Sequence, residues 1–410
     1  MAQLNINLNQ DDILYLLSES REDAFAELLQ SSLNAILQAE SAEQLRAQPY
    51  ERSSERLDYR NGFREREYAT RIGKITLKVP KHRNEPFKTM IFDNYQRSEA
   101  ALVATMAEMV VNGVSTRKVE KVVETLCGVS ISKSAVSELC KEIDASVNAF
   151  RDRPLGGHYP FVAIDATYFK VREDHRIISK AFMVAYATSS EGLRDIIGFG
   201  VYPNESTETW TRFLQSLKDR GLSNVLMFIS DSHEGIKNAI AHIFPDTPWQ
   251  RCQFHFTSNI LDKTPKKYIE GLKTELRDMF TSRTITEARK KRNAIISDYR
   301  DVAEAAMDCL DEGFEDAMTV MVFPVKHRKH LRTTNCIERL NRELKRRSKV
   351  IGIFPNTRSL NRLMGAVLLE INEKKMSRYS VFSFASFKEI EACSDSLQKI
   401  AKAQQKQLIA

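Results

Sequence analysis

Three acidic residues in this 410-residue chain stand where an acid is expensive to keep or is framed by cations. Asp165 lies within the apolar run 161–169 (FVAIDATYF), which reads as a buried β-strand. A carboxylate there is costly unless something pairs with it. Asp231 follows the apolar run 225–230, and Glu338 opens a strongly basic helical stretch. Brought together, the three could share divalent cations, because hard cations such as Mg2+ prefer carboxylate oxygens to thiols or imidazoles. Two such ions can stabilise the attacking and leaving oxygens when water or a 3′-hydroxyl attacks phosphorus in line. No protein nucleophile is required. Taken alone, Asp165 also reads as a strand acid satisfied by an arginine or a backbone amide. Glu338, three residues after Asn335, also resembles half of a capping box.

The basic residues have their own pattern. Residues 326–349 carry ten Lys/Arg against Glu338 and Glu343, a density that suits either a polyanion partner or a solvated helix face. At about 100° per residue, Glu338, Arg342, Lys345 and Lys349 share one face while Ile337, Leu340 and Leu344 line another. An acid flanked by cations on one face could hold a metal and the strand to be cut. A second basic stretch, residues 59–83, sets eight Lys/Arg against two acids, with Tyr59, Phe63 and Tyr68 interleaved. Arginines among aromatics suit a surface that tracks phosphates while stacking on bases or sugars. Arg60, Arg64, Arg71, Lys81 and Arg83 are the candidates there.

The elements that must position these groups follow from periodicity. Leucines, Phe25 and Ile36 recur at helical spacing over 10–47, where eight acids face Arg21 and Arg46. In 59–83, Ile75, Leu77 and Val79 alternate with Lys74, Thr76 and Lys78, as in a half-exposed strand, and Gly73 marks the turn of a small hairpin. Residues 100–147 return to helix. The short link 128–131 gives a helix-turn-helix outline, with Arg117, Lys118, Lys133, Ser134 and Ser137 placed as candidate DNA contacts. Strands are expected at 161–169, 178–188 and 193–202, then a helix bearing Trp210 as a core residue, a strand at 225–230, a helix at 235–244 and a short strand near 249–252. Three antiparallel strands, a helix, a strand and a helix are the order of an RNase-H-like fold. Residues 262–325 read as an all-helical insertion into it, and the last residues as a polar, fraying tail.

The expected architecture is therefore α+β, an RNase-H-like catalytic domain interrupted by an all-helical insertion and preceded by helical and small β DNA-binding regions. Its segments are an N-terminal helical region (1–58), a basic hairpin (59–98), a helix-turn-helix-like region (99–150), the catalytic domain in two parts (151–261 and 326–380) around the insertion (262–325), and a tail (381–410). Net charge is +7. No apolar run approaches the roughly 20 residues of a membrane span, and no secretory signal opens the chain. Six dispersed cysteines favour reduced thiols over a disulfide framework.

With these residues laid out, the chain resembles the IS256-type transposases of bacterial insertion sequences, relatives of the Mutator-like enzymes. The resemblance spans about residues 55 to 375 and is densest in DATYFKVRE (165–173), FGVYPNESTETW (199–210), LKDRGL (217–222), SDSHEGIKNAI (230–240), QRCQFHF (250–256) and TTNCIERLNRELKRRSK (333–349). It implies a DDE triad of Asp165, Asp231 and Glu338 that binds two Mg2+ ions, with Mn2+ able to substitute. Lys345 matches the family's basic residue after the glutamate, with Arg342 and Arg346 beside it. Cys252 and His255 match its C-x2-H element, for which a structural role is expected over zinc; His327 and His330 would have to complete a zinc set. The chain departs from the family in QRCQFHFTSN, which lacks the arginine usual before the asparagine. The resemblance further implies binding to double-stranded DNA at the element's inverted repeats and in the target, cleavage and strand transfer, a homodimer, and a bacterial cytoplasmic location, nucleoid-associated on DNA. A catalytically silent DNA-binding regulator and a structure-selective RNase-H-like nuclease are the alternatives.

Overall fold

The computed structural model describes residues 21–127, apart from 53, 71–72, 90, 92–105, 108 and 110–115, and residues 133–409, apart from 350 and 376–379. The chain is a mixed α+β protein that divides into two compact units at residues 142/143.

In the first unit, helix α1 (Arg21–Leu45) packs on an antiparallel hairpin, β1 (Arg60–Thr70) and β2 (Gly73–His82). The alternation in β2 works as its residue types require. Ile75, Leu77 and Val79 are buried with Leu37 of α1, while Lys74, Thr76 and Lys78 are exposed. Tyr68 pairs across the hairpin with Ile75 and joins this core, so it is a packing residue and not part of an exposed aromatic surface. Tyr59 and Phe63 are exposed. Asp58 closes the hairpin's base, accepting the amides of Tyr59, Asn84 and Glu85. Helices α2 (Thr116–Cys127) and α3 (Lys133–Asp152) follow, with α3 running across the division. The expected turn at 128–131 lies outside the described residues.

The second unit is built on a five-stranded mixed sheet: β3 (Phe161–Glu173), β4 (Arg176–Thr188), β5 (Arg194–Tyr202), β6 (Met227–Ser230) and β7 (Trp249–Arg251), in the order β5-β4-β3-β6-β7. β3, β4 and β5 form the antiparallel meander, and β6 and β7 add on parallel. On one face Val162 and Ile164 pack with Trp210, Phe213, Leu214 and Leu217 of α4 (Thr207–Asp219) and Ile236 and Ile240 of α5 (Glu234–Ile243). Ser206 caps α4 through the Thr209 amide, and Thr209 returns the bond to the Ser206 amide.

A separate helical core gathers α6 (Gln253–Asp262), α7 (Ile269–Phe280), α8 (Ile285–Tyr299) and α9 (Glu304–Ala317). Phe256 and Ile260 belong to it, so its packing starts at α6. The chain returns through α10 (Val325–Leu331), α11 (Asn335–Ser348) and α12 (Thr357–Lys375). The final residues do not fray as their polarity suggests: they form α13 (Phe384–Glu391) and α14 (Ser394–Ile409), with Leu397 and Ala401 buried.

Candidate active site

The acids meet because of sheet register. β3 and β6 pair in parallel, with Phe161 opposite Met227 and Ala163 opposite Ile229. Carried two residues on, that register sets Asp165 level with Asp231, the first residue beyond β6. The period of two along β3 points Asp165 away from the Val162/Ile164 face, towards α11. There Asn341 Nδ2 donates to Asp165 Oδ2 at 2.8 Å. Asp165 Oδ1 accepts the Ala166 amide, and Asp231 Oδ1 accepts the His233 amide.

Helix α11 is held at both ends. Before its start, the Thr334 amide and hydroxyl reach the Cys252 sulfur at 3.4 and 3.2 Å, and the Gln253 amide donates to the Arg332 carbonyl. Beyond its end, Phe354 exchanges backbone hydrogen bonds with Lys170 and Arg172 of β3. Ile337, Leu340 and Leu344 seat the helix with at most 1 % exposure. Glu338, half-buried, thereby stands three residues before Asn341, the residue that holds Asp165. It does not act as a helix cap: the N-cap Thr334 makes no side-chain cap bond, and Glu338 Oε1 is buried without a hydrogen-bond partner.

Burial, with Asp231 beside it, pushes the Asp165 carboxyl up to about 7, against the Ala166 amide and His255. Sequence reasoning missed a fourth acid. Burial and the nearby Asp231 raise Glu205 above the usual carboxylate range, while His233, Tyr168 and Trp210 oppose them. His255 Nε2 stands 3.7 Å from Glu338 Oε1, and the ligand atoms of Cys252, His255 and Glu338 lie within 4.8 Å of one another. The Cys252 sulfur holds the imidazole well above its ordinary range. Burial raises the thiol, but His255 and Thr334 outweigh it and Cys252 titrates low. His327 is turned elsewhere, 3.4 Å from Glu389. Trp210 is fully buried, as expected of a core residue.

The donor set fits a hard divalent cation. It consists of carboxylate oxygens, one of them on a group raised by burial and by a neighbouring acid, plus two buried oxygens lacking hydrogen-bond donors, Glu338 Oε1 and Asn341 Oδ1. A cation would relieve both conditions.

The expected DNA contacts divide. Arg342 and Lys345 are exposed on α11, whereas Arg346 is held in a bidentate pair with Glu343. In the hairpin, Arg64, Lys81 and Arg83 are exposed, but Arg60 spends its guanidinium on the carbonyls of Ala47 and Gln48. Lys118 is exposed on α2. Arg71 and the side chains of Arg117, Lys133 and Ser134 lie outside the described residues. Among the described residues, no helix is long and apolar enough to cross a membrane.

Fold and site thus define a mixed α+β protein that sets clustered carboxylates against a basic helix. The chain belongs to the Mutator family of transposases, whose family model (Transposase, Mutator family) matches residues 2–377. It is 42% identical over 378 residues to the transposase for insertion sequence element IS256 in transposon Tn4001 of Staphylococcus aureus, covering 91% of this chain and 97% of that protein. It is 40% identical to the transposase for insertion sequence element ISRM5 of Rhizobium meliloti, covering 87% and 90% of the two chains. With the transposase for IS1081 of Mycobacterium tuberculosis the identity is 36%, covering 87% of each.

Proposed function

We propose that the protein is a transposase that binds the terminal inverted repeats of its own insertion sequence, cuts the DNA there and transfers the freed end to a new site. The observation that carries this reading is the parallel register that levels Asp165 with Asp231 under the helix bearing Glu338. The sheet order, with a three-stranded meander and two parallel strands added beside β3, supports reading this unit as an RNase-H-like domain. The helical core of α6 to α9 would then be an insertion between the second aspartate and the glutamate.

In this reading Asp165, Asp231 and Glu338 would hold two Mg2+ ions. Bound there, the ions would supply charge stabilisation for the attacking and leaving oxygens at phosphorus. The chain's own work is positional. Arg342 and Lys345, one and two turns past Glu338, hold backbone phosphates at the site. Exposed Arg64, Lys81 and Arg83 of the hairpin contribute sequence-independent affinity for duplex DNA. Two ends must be joined to a target, so the working form is at least a homodimer.

The test is a cleavage assay with Mg2+ and DNA carrying the element's inverted repeats, run on Asp165→Asn, Asp231→Asn and Glu338→Gln beside the parent. Each variant is expected to lose at least 10²-fold in cutting, about 2.7 kcal/mol of barrier, while shifting the same DNA in a gel. A variant that cuts at the parental rate removes that acid from the site. Binding without cutting by the parent would instead indicate a regulator.

A further inference from the structure

Asn341 occupies a position that the acids alone do not explain. It is 8 % exposed and lies on the seated side of α11, next to Leu340 and one turn from Ile337 and Leu344. A buried amide is costly unless both of its ends are satisfied. One end is: Nδ2 donates to Asp165 Oδ2 at 2.8 Å. The other is not: Oδ1 is buried and accepts nothing. Both atoms sit on one carbon, so the orphaned oxygen stays beside the carboxylate that the nitrogen holds. Three residues earlier on the same helix, Glu338 presents a second orphan, Oε1. Residues three apart are neighbours on a helix surface. Two oxygens from one helix, beside a carboxylate from the strand, lack a hydrogen-bond donor, and His255 reaches Glu338 Oε1 only at 3.7 Å, so the place suits a further electropositive group.

We propose that Asn341 is part of the cation site. Its nitrogen orients the Asp165 carboxylate, and its Oδ1 serves as an additional, neutral hard-oxygen donor. This rests on reading Asp165 and Glu338 as cation-binding residues. An amide suits the position better than a fourth carboxylate would. Amide oxygens are accepted by hard cations, and a neutral donor adds ligation without bringing a further like charge beside Asp165 and Asp231.

The experiment measures Mn2+ binding by the full-length protein, by EPR or calorimetry, alongside metal-free melting. The variants are Asn341→Leu, which keeps the shape without the polar atoms, Asn341→Ala as a smaller second choice, and Asp165→Asn. Replacing an imperfectly satisfied amide by an apolar isostere should leave metal-free melting unchanged or raise it. Mn2+ affinity should nevertheless fall at least tenfold in Asn341→Leu, within the range expected when a metal ligand's support is removed. A purely structural asparagine predicts the opposite pattern, lower melting with unchanged Mn2+ affinity, and that result overturns the inference. If Asn341→Leu does not fold, Asn341→Ala is read by the same two measurements. Should Asp165→Asn weaken Mn2+ binding while neither Asn341 variant does, this inference fails and the cation site stands. Should Asp165→Asn also bind Mn2+ as the parent does, the reading of the site itself fails.

Discussion

At the scale of single residues, the cost of the site is concentrated in Asp165. Its carboxyl titrates at about 7 in the folded protein, against about 3.9 for an unperturbed aspartate. Between those values the native state binds the extra proton, so this group's ionisation removes stability as pH rises from 4 to 7. Without metal, Asp165→Asn is therefore expected to melt higher than the parent at pH 8, by a few degrees, with the gap closing towards pH 4. Differential scanning fluorimetry across that range checks it; a variant that melts lower at pH 8 would contradict the burial argument. Asp165 was legible because an acid in an apolar run is conspicuous. Asn341 left the same kind of trace, a polar residue on the apolar stripe of α11, and was overlooked because Ile337, Leu340 and Leu344 already explained that stripe. Glu205 left none, since it sits in the loop between β5 and α4, where no periodicity fixes which way a side chain points.

At the scale of elements, the sequence was most readable where alternation or helical spacing had to satisfy one core. The hairpin and the meander emerged close to their expected limits for that reason. Contacts between elements were less readable. The C-x2-H pair suggested a hydrogen-bonding role, but nothing local indicated that the Cys252 sulfur would receive both the amide and the hydroxyl of Thr334, 82 positions away. That junction fixes where α11 begins, three residues before Glu338. Cys252→Ala leaves two buried donors without an acceptor, a loss of about 1–3 kcal/mol. Cys252→Ser retains an acceptor and should lose less. Urea midpoints rank the two, and cleavage should fall further in the alanine variant than in the serine one. Equal midpoints for all three proteins would mean that the sulfur does not anchor the helix.

At the scale of the whole molecule, the end of the chain closes a structural problem opened near its middle. β7 is the last strand of the sheet, and an edge strand exposes backbone groups that invite pairing with other chains. Helix α14 reaches it through one side chain. The Gln404 amide treats Trp249 as a neighbouring strand would, accepting its N–H at 2.9 Å and donating to its carbonyl at 2.8 Å. Gln404 also donates to Asp316 at 2.9 Å, so the same side chain ties the sheet edge to α9. Leu397 and Ala401, four apart, seat the helix. That spacing was present in the sequence but was submerged among lysines and glutamines, which made the segment read as a tail. Deletion of residues 394–410 should uncover Trp249 and the β7 edge together. The truncated protein is expected to melt several degrees lower and to form aggregates visible by light scattering at concentrations where the full chain stays dispersed. Gln404→Ala, which leaves the helix seated but breaks the edge contact, should fall between the two. If truncation left melting and scattering unchanged, α14 would not be guarding the sheet, and the protection of β7 would have to come from Thr319, whose hydroxyl also reaches the Trp249 carbonyl at 3.0 Å.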